Sequence, residues 1–122
     1  MAYIDGFVIA VPTANKEAFL KHARLFDQLL LDHGALRVVE GWGDDVKHGK
    51  QTDFFRAVEA REDETVAFSW IEWPDKATRD AAHGRMMEAM ETDPRFKEIG
   101  EMPFDGARMV FGGFEPILTL EA

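Results

Sequence analysis

Hydrophobic and polar residues repeat one plan twice along this chain. In residues 3–11, Tyr3, Phe7, Ile9 and Val11 share one face of an extended strand, and Ile4, Val8 and Ala10 share the other. Pro12 removes an amide donor and stops the ladder. Thr13 or Asn15 is then placed to cap a helix over about 15–33, with Phe19, Ala23, Phe26 and Leu30 along one side and Gly34 at its left-handed end. Leu36, Val38, Glu40 and Trp42 alternate with Arg37 and Val39, which predicts a second strand. The plan then recurs. Val66, Phe68 and Trp70 oppose Ala67, Ile71 and Trp73 in a strand over 65–73; Pro74 ends it and Asp75 caps a helix over 76–90 carrying Ala82, Met86 and Met90.

Between the two units, residues 44–53 are polar and without period, and so predict a loop. Residues 54–58 fit either a short helix or the lead-in to a strand. After the second helix, Asp93-Pro94 opens a short helical turn through Phe96 and Ile99, and Phe104-Asp105-Gly106 marks a turn. Residues 108–114 predict the last strand, softened by Gly112-Gly113. Residues 115–122 include Ile117, Leu118 and Leu120, too apolar for a simple loose end.

The order β-α-β-β-α-β predicts a ferredoxin-like α+β fold: a four-stranded antiparallel sheet with helices on one face, in a single domain over 1–122. The other face is then left open. Phe7, Trp42, Trp70 and Phe111 are its candidate residues, and a large apolar patch marks an interface. The economical solution is a homodimer of two copies packed sheet to sheet.

Composition narrows the partners. The 122 residues carry 23 acids against 14 bases, a net charge of −9, with the bases interleaved among acids as in Arg61-Glu62-Asp63-Glu64. Nucleic acid and anionic membrane both demand a basic face, so neither is an expected partner. No apolar run approaches the roughly 20 residues of a membrane helix. The N-terminus lacks a basic stretch before an apolar one, the mark of a signal peptide. Without cysteine, disulfides, thiol catalysis and thiolate metal sites are excluded, and the cytoplasm is the natural location.

Candidate chemistry is sparse. His22 and His33 lie on nearly the same helix face but roughly 16 Å apart, too far to share a metal. His83 follows Asp80 at the spacing of a surface pair. His48 sits in the loop after Asp44-Asp45, where functional residues concentrate but where turn-forming aspartates also belong. Glu72 shares a strand face with Phe68 and Trp70. A carboxyl among aromatics suits proton transfer, and the plainer alternative is an ion pair with Arg56, Arg79 or Arg108. Asp105 and Arg108 bracket either a turn or an anion. Gly112-Gly113 marks a bulge or a close approach by a ligand or another chain. No phosphate loop or serine nucleophile elbow is present. Met86, Met87 and Met90 read as core filler. No metal or cofactor is expected, and the purified protein is expected to be colourless.

Several clusters carry a resemblance. Trp70-Ile71-Glu72-Trp73-Pro74 with Arg79-Asp80, Asp93-Pro94-Arg95, Pro103-Phe104-Asp105-Gly106, Arg108-Met109 and Gly112-Gly113-Phe114-Glu115 cover most of the second half. Gly41-Trp42-Gly43-Asp44-Asp45-Val46 adds to them from the first half. Together they resemble the YbaA-like bacterial family of unknown function (domain-of-unknown-function 1428). That resemblance implies the dimeric α+β barrel superfamily, which supports the dimer and brings no reaction. The superfamily spans cofactor-free monooxygenases, haem-binding enzymes, isomerases and non-catalytic modules.

Two readings of function remain. The first is a small-molecule binder or cofactor-independent enzyme, with Trp42, Trp70 and Phe111 as pocket walls and His48, Glu72, Asp105 and Arg108 as polar groups. The second is a non-catalytic homodimeric structural or interaction module, whose aromatics build core and interface. Convergence of the polar groups on a cavity favours the first; their pairing with one another favours the second.

Overall fold

Strand register assigns every side chain to a face. In a computed structural model, which describes residues 2–122, β1 (Tyr3–Pro12), β2 (Arg37–Trp42), β3 (Glu64–Trp73) and β4 (Val110–Phe114) form one antiparallel sheet in the order β2-β3-β1-β4. The long helices are α1 (Lys16–Asp32) and α3 (Lys76–Thr92); α2 (Phe54–Ala57) and α4 (Arg95–Ile99) are short. This is the ferredoxin-like α+β arrangement.

Tyr3 pairs with Trp73, Phe7 with both Ser69 and Phe111, and Ile9 with Ala67. These odd positions look toward α1 and α3. Leu29, Leu30, Ile71, Trp73, Ala82 and Met86 form the larger core cluster, with Phe7, Phe26 and Val38 packed against it. Ile9, Val11, Phe19 and Ala67 form a second beside it, closed by Trp42, Phe104 and Met109. The helices reach the sheet through stripes at three- and four-residue spacing, which on α3 is Ala82, Met86 and Ala89.

Four local expectations change. Neither Thr13 nor Asn15 caps α1 with its side chain. A three-residue 3-10 turn, Thr13–Asn15, feeds the helix instead, and the Asn15 amide donates to the Pro103 carbonyl at 2.9 Å. Met87 and Met90 are exposed, because the α3 stripe turns through Ala89 and leaves them outside. The last strand begins at Val110, since Gly106–Arg108 is a 3-10 turn held by Asp105. The candidate open-face residues also divide. Trp70 lies on the face away from the long helices, whereas Phe7, Trp42 and Phe111 lie on the helix side, as register requires.

The face away from α1 and α3 is partly covered. The segment between β2 and β3 folds across one end of it, where Val46, Phe55 and Ala60 pack on Ala10, Val58 and Val66. Asp53 organises that segment by accepting from the Arg56 amide at 2.7 Å and the Gly49 amide at 3.0 Å. Beyond its reach, Phe68, Val110 and Phe114 stay exposed.

Candidate functional site

The seven candidates read from sequence occupy four separate places. Trp42 packs under α1, its ring 5.8 Å from Phe19 with the Lys16 ammonium above it. His48 is exposed in the β2–β3 segment, stacked on Phe55 at 4.5 Å with Nδ1 3.7 Å from Asp53. Asp105 and Arg108 meet at the turn before β4. Asp105 accepts from the Ala107 amide, and Arg108 clamps Glu64 through two bonds of 2.7 and 2.8 Å. That clamp holds the buried Glu64 carboxyl down at about 2. Trp70, Glu72 and Phe111 lie on or beside the uncovered part of the sheet.

Glu72 is tied by the Trp70 indole, which donates to it at 2.9 Å, and by Arg37 at 3.4 Å. Its partner is thus Arg37, directly opposite in the strand register, and none of Arg56, Arg79 or Arg108. Each of these polar groups is paired, and they converge on no common cavity.

Two clusters that sequence pattern did not single out carry more unusual chemistry. The first lies between α1 and the sheet. Asp27 projects from the inward side of α1 toward Glu40 of β2, and Glu40 in turn bonds the buried Ser69 of β3. Burial, then the charge of Glu40 and the bond to it, push the Asp27 carboxyl up to about 8. Burial also raises Glu40. Among the described residues no basic side chain is paired with either, so the raised carboxyls keep a proton between them at neutral pH across the α1–β2 contact. The available signal was positional: each is a polar residue in an otherwise apolar row, Asp27 four beyond Ala23, Glu40 between Val38 and Trp42, and Ser69 between Ala67 and Ile71.

The second cluster surrounds Asp5, buried at the β1–α3 contact. The Trp73 indole donates to it at 2.9 Å, and Arg79 binds it through Nε and Nη2 at 3.2 and 2.9 Å. His83 stands 3.8 Å away, so its partner is Asp5; Asp80, the residue expected from spacing, is taken by Lys76 and Arg79. The same cluster accounts for Gly113. A Cβ there would collide with the Tyr3 hydroxyl and approach Arg79 Nη2 to 2.9 Å. The close approach expected at Gly112-Gly113 is therefore made by side chains of this chain itself. Among the described residues, no three His, Asp or Glu side chains are placed to hold a metal ion.

Clefts open on the surface. One, of about 580 Å³, is lined by Glu17, Leu20, Lys21, Arg24, Leu25 and Glu98 on the outer side of α1. A second, of about 520 Å³, runs over the uncovered sheet between β3, β1 and β4, walled by Ile4, Val8, Phe68, Trp70, Val110 and Phe114 and ending at Glu115 and Pro116. The second is almost wholly apolar.

Comparison with known proteins agrees with the fold. The model of the family described as "Protein of unknown function (DUF1428)" matches residues 2–106. The uncharacterized protein YbaA of Escherichia coli (strain K12) is 55% identical over 119 residues, covering 97% of this chain and 98% of that one, and the YbaA of Shigella flexneri matches to the same extent. Two solved structures share the fold. A dimeric ferredoxin-like protein from an uncultured marine organism superimposes with a TM-score of 0.51 at 12% identity, over 100% of both chains. A dimeric ferredoxin-like protein of unknown function from Jannaschia sp. CCS1 gives 0.51 at 15% identity, over 93% of this chain and 99% of that one.

Proposed function

We propose that this chain, which belongs to the DUF1428 family of proteins of unknown function, works in the cytoplasm as a homodimer: one domain per subunit, meeting its twin over the uncovered sheet face as a non-catalytic binding module. One observation carries the reading. The exposed sheet surface beyond α2 is built from Phe68, Trp70, Val110 and Phe114 around Ile4 and Val8, with charged residues such as Arg37, Glu72 and Glu115 at its ends. Such a surface is stable in water only when a partner dries it. Two solved proteins of this fold are described as dimeric, and self-association of a two-fold kind lets the same patch serve both subunits.

The pairing of Glu72, Asp105, Arg108 and His48 with neighbouring side chains supports a module without a reaction of its own. Sedimentation equilibrium at micromolar concentration tests the dimer. The expected mass is twice that of the chain, falling to one copy in Phe68→Asp. A wild-type protein that stays a single copy overturns the reading.

A second reading rests on the groove itself. Its volume of about 520 Å³ lies within the range of small-molecule sites. Its walls fit an apolar ligand without charge. Thermal-shift screening against apolar compounds tests that alternative, since a ligand of the native state raises the apparent melting temperature.

A further inference from the structure

We propose that segment 115–122 of each subunit crosses to the other and lies in the groove of the partner's sheet, so that each groove is closed by a second copy of this chain. This rests on the dimer proposed above and assigns the part of the dimer that fills the groove.

The segment follows the edge strand β4 and is far more exposed than an apolar stretch should be. Ile117 is 95% exposed, Leu118 75% and Leu120 83%. Three aliphatic side chains within four residues, none covered by its own subunit, form a binding surface rather than a spacer. The groove offers what they need: a long apolar trough in which Glu115, at the point where the segment leaves it, is the only charged lining residue among those described. Surface and trough belong to one chain and match in character, which is the condition for reciprocal exchange between two copies.

Local backbone chemistry favours exchange over folding back. Glu115 precedes Pro116, and a residue before proline is held extended. The remaining residues, Ile117-Leu118-Thr119-Leu120-Glu121-Ala122, include no glycine, asparagine or aspartate to reverse the chain. The segment bends once, at Ile117, and still leaves Ile117, Leu118 and Leu120 exposed rather than folded onto its own sheet. Fully extended, eight residues reach about 26 Å. A four-stranded sheet is about 14 Å wide between its outer strands, so the segment can cross a partner's groove from rim to rim. The edge of β4, where an unpaired backbone would otherwise invite aggregation, comes to lie beside the crossing point.

Three measurements test the exchange, and they separate it from the dimer itself. The double variant Leu118→Asp, Leu120→Asp alters side chains that touch little of their own subunit, so its circular dichroism should match the wild type while its dimer dissociation constant rises about 100-fold. A chain ending at Pro116 should weaken the dimer equally. Because the chain has no cysteine, Glu72→Cys combined with Leu120→Cys can be joined by a short bismaleimide, and the product should run as a covalent dimer in denaturing electrophoresis. An unchanged dissociation constant in both altered chains, a cross-link formed within single chains, or no cross-link at all would each overturn the exchange while leaving a sheet-to-sheet dimer standing. A wild-type protein that sediments as one copy would overturn both.

Discussion

Replacing Asp27 with asparagine should make this protein more stable at neutral pH, against the usual direction of a change at a buried polar site. The wild-type pair holds a proton between Asp27 and Glu40, with the Asp27 carboxyl raised from an ordinary 3.8 to about 8. Because the folded state binds a proton that the unfolded chain has already released, the contribution of this pair to stability is greatest below about pH 4 and declines as pH rises toward 8. At pH 7 the proton is held about three pH units above the group's ordinary value, which at about 1.4 kcal/mol per unit sets a ceiling of about 4 kcal/mol. Both carboxyls keep some contact with water, so about 2 kcal/mol is the working figure. Asparagine is nearly the same shape, donates to Glu40 through its amide and needs no proton. Urea unfolding at fixed protein concentration, repeated from pH 5 to pH 8, should show wild-type stability falling across the range and a flatter Asp27→Asn curve that lies about 2 kcal/mol higher at pH 7. A flat wild-type profile, together with a variant less stable than wild type at pH 7, would refute the shared proton.

Other substitutions probe the remaining clusters. Gly113→Ala drives a methyl group into Tyr3 and Arg79 and should cost about 1–3 kcal/mol in thermal or urea unfolding, whereas Gly112→Ala, which meets only Phe114 at 3.6 Å, should stay within about 0.5 kcal/mol of wild type. Arg108→Ala strands the buried Glu64 carboxylate and should cost about 3 kcal/mol at pH 7. Glu64, held at about 2 against an ordinary 4.5, contributes stability above about pH 4.5 that is lost as pH falls toward 2; that acid loss should disappear in the Arg108 variant. Trp73→Phe keeps most of the buried ring but removes the indole donor from Asp5, and should cost about 1–3 kcal/mol by the same assay.

Elements set by near neighbours were readable from sequence. Pro12 closes β1, Asp75 caps α3 by accepting from the Thr78 amide at 2.7 Å, and the odd–even division of β1 and β3 separates the two sheet faces as alternation predicts. Partners far along the chain were not readable. Arg108 reaches Glu64 across 44 positions and Arg79 reaches Asp5 across 74; no local period records such pairs. Trp42 and Trp70 look equivalent in a strand pattern, and only the pairing of Val39 with Trp70 and of Trp42 with Ala67 puts them on opposite faces. Gly113 reads as a gap left for a partner until Tyr3 and Arg79 are seen to fill it. Of the candidate site, the sequence supplied the wall residue Trp70 and, at the edge strand beside it, Phe111, whose large aromatic side chains stand out by type alone. It hid Asp27, Glu40 and Ser69, whose significance comes from meeting one another.

Both faces of the sheet are largely apolar, although the long helices cover only one of them. The face covered by α1 and α3 carries Asp5, Glu40 and Ser69 in its interior, each satisfied by a partner beneath a helix. The face those helices leave bare carries Ile4, Val8, Val39, Phe68, Trp70, Val110 and Phe114, with Arg37, Glu64 and Glu72 only at its ends. A subunit that works as one copy gains nothing from leaving the apolar residues of its second face wet. The pattern becomes favourable once the bare face is an interior. The Arg79–Asp5 pair then fixes how α3 sits on the covered face and the Arg108–Glu64 pair ties the turn before β4 to the end of β3, while the middle of the bare face is left apolar and free to meet a surface like itself. In the proposed dimer, the buried charges fix the subunit and the exposed aromatics supply the surface through which two copies would join.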